Sequence, residues 1–220
     1  MSKTFLYCFM AAVLWAGICS EPAKAAVTAV VAPGEDIVLL APLPLEEVSG
    51  VRIYNPVTTA FGFRVEIEGV TAGAAPVEPG FQLVDETFAL RLSVQNEMTR
   101  ERLRELPARA KARIRLGYDR SRIRAKGLRP QNLTLMRLVR KDEARRTWMS
   151  CGRVLSRKAI TAIRRMGSPV FELGYYGNDA ANEYVWAVMD VPGTYALGIP
   201  EPASLLLAAG GAGLLAIRRR

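Results

Sequence analysis

Along residues 61–68 the chain alternates strictly, with Phe61, Phe63, Val65 and Ile67 on one parity and Arg64, Glu66 and Glu68 on the other. A strand turns successive side chains to opposite faces, so this stretch predicts a strand with one face buried and one in water. The same period of two recurs in Thr87 to Val94 and in Lys111 to Leu116. Shorter runs of strand-forming residues occupy Ile37 to Ala41, Val51 to Asn55, Leu133 to Val139, Arg146 to Met149, Val170 to Tyr175, Tyr184 to Met189 and Thr194 to Leu197. Gly, Pro and Asn punctuate the intervals between them. Only Met98 to Leu106 reads as a helix, flanked and crossed by charges at Glu97, Arg100, Glu101, Arg104 and Glu105 and stopped by Pro107. Val70 to Gly80, with Gly73, Pro76, Pro79 and Gly80, reads as a linker and a possible subdomain boundary near 70–80. Many short strands without strand–helix alternation predict a mainly β fold, an antiparallel β-sandwich.

The two ends break this pattern. Lys3 precedes an apolar run from Phe5 to Ile18, followed by Pro22-Ala23-Lys24-Ala25. The run is too short for a stable span of a hydrocarbon core about 30 Å thick, and Ala23 and Ala25 give the small-x-small form that signal peptidase recognises. Residues 1–25 are therefore expected to be a signal peptide cleaved before Ala26; acylation at Cys19 is the competing reading, with bulky Ile18 against it. After that cleavage Cys151 is the one cysteine left, so the fold must be held by its core without an internal disulfide.

Residues 199–220 combine Pro200-Glu201-Pro202, an apolar stretch 203–217 and the terminal Arg218, Arg219 and Arg220. The prolines are expected to keep the tripeptide extended and accessible. A helix over 203–217 would reach only about 22 Å at about 1.5 Å per residue, a poor permanent anchor, and the arginines would hold it at the cytoplasmic side as a membrane stop.

This tail resembles the PEP-CTERM sorting signal of Gram-negative bacteria. The resemblance implies that exosortase, a membrane-embedded cysteine protease-like enzyme, recognises Pro200, Glu201 and Pro202, and that the exported chain sits transiently in the inner membrane before reaching the cell envelope or the extracellular space. It also implies an association with exopolysaccharide. A simple C-terminally anchored surface protein is the alternative. Within the exported domain, 26–198, the segments Ile114 to Asp119, Leu133 to Leu138, Trp148, Val185 to Val188 and Gly193 to Leu197 are similar to the Ig-like β-sandwich modules of bacterial surface proteins. That resemblance implies a fold and no activity.

Charge is segregated along this domain: residues 26–90 hold two basic and nine acidic side chains, 91–165 hold 23 basic and six acidic, and 166–199 hold four acidic and no basic ones. In the central block basic residues recur at every second position, as Lys111, Arg113 and Arg115 and again as Arg120, Arg122, Arg124 and Lys126. On strands each set would share one face at about 6.6 Å spacing, a row able to contact an acidic exopolysaccharide through bidentate arginine contacts. The same pattern fits a solvated face, or one compensated by the acidic segments. Nucleic acid is not an expected partner, because export removes the chain from it.

The chain has no histidine, which removes the usual general base and most Cys/His metal sites. Glu66 with Glu68 and Asp85 with Glu86 have the ordinary look of strand faces and turns, whereas glycosidase carboxylates converge across a cleft. The expectation is a structural or binding protein rather than an enzyme, with no metal and no cofactor; a secreted polysaccharide-active enzyme is the alternative.

Overall fold

The computed structural model describes residues 26–41, 49–85, 87–140, 145–154, 165–166 and 171–201; the expected signal peptide, Pro202, the apolar segment 203–217 and Arg218 to Arg220 lie outside them. Strands β1 (Ala26–Val31), β2 (Asp36–Leu40), β3 (Gly50–Tyr54), β4 (Phe63–Val70), β5 (Phe81–Leu83), β6 (Ala89–Asn96) and β7 (Lys111–Gly117) lead to a short helix α1 (Arg120–Ala125) and a 3-10 turn at Pro130–Asn132. Then come β8 (Thr134–Arg140), β9 (Arg146–Ser150), the four-residue helix α2 (Cys151–Val154), β10 (Arg165–Met166), β11 (Tyr176–Asp179), β12 (Tyr184–Met189) and β13 (Gly193–Pro200).

Two sheets result. The first has the order β1-β4-β6-β13-β8-β9, with β5 also pairing β13; the second has the order β10-β11-β12-β7-β3-β2. Pairing is antiparallel except between β10 and β11. Alternation explains how the sheets stack: Phe63, Val65 and Ile67 of β4 and Ala112, Ile114 and Leu116 of β7 are fully buried and join one core with Leu92, Val51, Val185 and Tyr195. Burying each such Val, Leu or Ile is worth about 1.5–3 kcal/mol, and this inter-sheet layer makes the fold a β-sandwich. A smaller core of Trp148, Met136, Ala89, Ala72 and Ala196 packs with Val77 and Phe81. A third cluster, Tyr184, Trp186 and Val188, lies on the parity of β12 opposite its core residues Val185, Ala187 and Met189, beneath Phe171 and Tyr175.

The stretch 70–80 behaves differently from a linker. Trp148 N donates to Pro76 O, Glu78 N donates to Trp148 O, and Ala72 and Glu78 are buried. Strands from both sides of this stretch pair with one another, β4 with β6 and β3 with β7, and share the main core.

Three local expectations are corrected. Residues 98–106 form no helix: Asn96 Oδ1 accepts from Met98 N and Thr99 N, Arg100 takes φ 59°, and the chain doubles back so that Leu103 N donates to Val94 O. An Asx turn competes with the helix for the same amides and here wins, because the return lets Leu103 pack on the main core and buries Leu106 within it. Residues 120–125, whose basic side chains would share one face on a strand, form α1 instead. Asp119 at ψ 113° accepts from Ser121 N and Arg122 N, capping the first turn, while Ile123 is buried and anchors the helix. Gly127, at φ 71°, follows the C-terminal turn, a conformation glycine adopts without penalty. Residues 171–175 also lie outside the strands, with β11 beginning only at Tyr176. Among the described residues no helix is long and apolar enough to cross a membrane.

Candidate anion-binding face

The core-facing parity of β7 fixes the other parity outward, so Lys111, Arg113 and Arg115 project from one face of the second sheet, each half-buried. The neighbouring strands decide what they meet. Arg52 of β3 stands opposite Arg113, and Tyr54 stands opposite Lys111. On the other side Val188 of β12 faces Arg113 and Trp186 faces Arg115. Four cations thus share a patch two strands wide.

Two of the four are engaged. Arg52 donates to both carboxylate oxygens of Asp36, at 2.9 and 2.6 Å, and this contact holds the Asp36 carboxyl below its ordinary range against a smaller opposing effect of burial. Lys111 Nζ donates to Phe171 O at 2.7 Å. The Phe171 ring lies over three of the cations, with its centroid 4.7 Å from Arg52 Cζ, 4.9 Å from Lys111 Nζ and 5.8 Å from Arg113 Cζ. An aromatic face attracts cations through its quadrupole and here partly offsets their mutual repulsion.

Arg113 and Arg115 have no ion pair among the described residues, and Arg115 Cζ lies 5.7 Å from the Tyr184 ring centroid. Arg113 Nε and Arg115 Nε are buried without an acceptor, as is the indole Nε1 of fully buried Trp186. Burial, and after it the charges of Arg115 and Arg52, push the Arg113 pKa down, which marks an environment that disfavours its charge. The patch therefore has donors in excess and few acceptors.

The other predicted basic residues do not extend it. On α1 a spacing of two residues turns side chains about 200° apart, so Arg120, Arg122 and Arg124 fan out around the helix. Arg120 turns to the β11–β12 connection, where Nη2 donates to Ala180 O and Nε lies 3.4 Å from Glu183. Arg52, Phe171, Tyr184 and Trp186 were absent from the predicted set because cross-strand register brings Arg52, Tyr184 and Trp186 to it and packing of a non-strand segment over the sheet brings Phe171.

At the C-terminal end Pro200 is exposed and is the last residue of β13, opposite Phe81. Proline is accommodated at a strand end because no continuing ladder needs its missing amide. Glu201 N donates to Gly80 O at 2.8 Å. A groove of about 420 Å³ lined by Leu128, Arg129, Asn132, Ile199, Pro200 and Glu201 runs beside this exit.

Cys151 is fully buried, and burial pushes its thiol up to about 12, so it stays protonated and shielded from reagents. Glu66 and Glu68 project from the outward parity of β4, with Glu68 paired to Arg91 at 2.7 Å. Among the described residues no group of three or more Cys, Asp or Glu side chains is placed to hold a metal ion. The chain matches no family model, no curated protein and no solved structure.

Proposed function

We propose that this chain is an exported structural or binding protein of the cell envelope or extracellular matrix, processed by exosortase at its C-terminal tail and associated with an acidic exopolysaccharide. One observation carries the reading: β13, the last described strand, ends at Pro200, so the tripeptide Pro200-Glu201-Pro202 starts on the final residue of that strand, with the apolar stretch and three arginines following in sequence. A processing enzyme acting there would release the whole sandwich. Signal peptidase would act at Ala23 and Ala25, and the inner membrane would hold the chain only between the two cleavages. Within this reading the sandwich is an Ig-like surface module, and its second sheet offers the polysaccharide a basic face.

The test is Glu201→Gln in the host organism. Wild-type chain should leave the membrane fraction with its tail removed, while the variant should stay there at its larger size. Equal processing of the two would remove the sorting reading.

A further inference from the structure

Resting on the reading of the second sheet as the saccharide-contacting face, we infer that this face carries a site for a single compact oxyanion, a carboxylate or sulfate group, bound by Arg113 and Arg115 with the Trp186 indole N–H as a further donor. Three observations lead to it. The row along β7 is not uniformly available: Lys111 is tied to Phe171 O and Arg52 to Asp36, which leaves Arg113 and Arg115 as the adjacent pair with no carboxylate among the described residues. They stand two residues apart on one strand, about 6.6 Å, a separation one oxyanion can bridge.

Three of the six buried side-chain donors without partners among the described residues lie on this face, the other three, Arg64 Nε, Arg137 Nε and Trp148 Nε1, belonging to the first sheet. Arg113 Nε, Arg115 Nε and Trp186 Nε1 are buried and unpaired, and Trp186 is the cross-strand neighbour of Arg115. A buried donor without an acceptor is costly, so such a group on each of three side chains of one patch points to an acceptor-rich ligand. An anion would also relieve the repulsion among Arg52, Arg113 and Arg115.

The surroundings limit the ligand's size. Beyond Lys111 the surface opens on a pocket of about 340 Å³ where the three carboxylates of Glu105, Glu172 and Asp190 outnumber Arg109 and Lys111, so further negative charge is disfavoured there. In the other direction β7 ends at Gly117. A polyanion can therefore present one charged group to this site but cannot lie along the strand as a continuous row of contacts. Uronic-acid carboxylates and sulfate esters share the required chemistry.

The experiment uses the full chain, 15N-labelled in a non-ionic detergent, with its three tryptophan indole N–H signals assigned by single Trp→Phe substitutions. Sodium galacturonate, sodium sulfate, galactose and sodium chloride are added separately, with ionic strength matched among the salts. Saturable movement of the Trp186 signal by galacturonate, by sulfate or by both, with Trp148 unmoved and with galactose and chloride inert, is the expected result. The stronger of the two anions then identifies a uronate or a sulfate ester as the source. Arg115→Gln should weaken the response at least tenfold; should that variant fold poorly, Arg113→Lys, which keeps the charge but loses the Nε donor, should weaken it by a smaller factor. No movement of Trp186 by either anion, or equal movement with chloride, overturns the site, since water or plain screening then accounts for the donors. An acidic polysaccharide that binds without moving Trp186 would remove this site and leave the matrix reading standing. Movement of Trp186 by anions in a chain whose tail is never processed would do the reverse.

Discussion

Arg52 and Arg113 stand directly opposite each other in the β3–β7 ladder, two like charges in register, and the Phe171 ring lies over both. Like charges opposite one another destabilise a ladder, so this arrangement depends on what covers and neutralises it.

Phe171→Ala should therefore destabilise the fold by about 1–3 kcal/mol, combining lost cation–π contact with lost cover over Trp186 and Val188. Chemical denaturation at low and at high salt checks this. The deficit should shrink at high salt, because screening weakens the exposed repulsion that the ring otherwise offsets. A deficit independent of salt would mean that Phe171 contributes packing alone.

Asp36 should contribute stability that depends on pH. Its folded pKa lies below the ordinary value, chiefly through the Arg52 contact, so its contribution is full above about pH 4 and is lost as pH falls through the folded pKa. Both partners are more than a third exposed, so the effect is small, about 1 kcal/mol at most. Asp36→Asn should flatten this segment of the stability–pH curve and leave stability almost unchanged once pH has fallen below the folded pKa of Asp36. Denaturant midpoints for both proteins from pH 2.5 to 7 measure it.

Cys151 should resist thiol reagents in the folded chain and react when it unfolds. The folded thiol titrates near 12 and the unfolded one near about 8.5, so stability is independent of this group below about pH 8 and declines as pH rises above that. Labelling at pH 8 with and without denaturant, in a chain carrying Cys8→Ser and Cys19→Ser, distinguishes the two states. Fast labelling of folded protein would contradict the burial.

The parts of this fold legible in the sequence were those where one parity is uniformly apolar. In β4 and β7 burial follows the alternation residue by residue, so both strands and the outward direction of Lys111, Arg113 and Arg115 could be read directly. The helix α1 was hidden because Arg120, Arg122 and Arg124 mimic a strand's period, and the decisive local signal, Asp119 as N-cap before Ser121, is a single residue. At 98–106 the side chain of Asn96 redirects the backbone against a favourable helical composition. Strand β1, Ala26-Val-Thr-Ala-Val-Val31, pairs with β4 but follows directly on a signal-like segment and has no polar residue except Thr28. The full site was not legible at all, since Arg52 and Trp186 reach Arg113 and Arg115 only through strand pairing between distant parts of the chain, and Phe171 only through a non-strand segment packed over the sheet.

The central claim is that the chain is exported and then cut at both ends. Its most direct test is the intact mass, with terminal sequencing, of the protein recovered from the host's envelope and culture fluid. The account predicts a chain that begins at Ala26 and lacks the apolar stretch 203–217 and Arg218-Arg219-Arg220. A chain that starts at a lipid-bearing Cys19, or that still ends in Arg218-Arg219-Arg220, would contradict it.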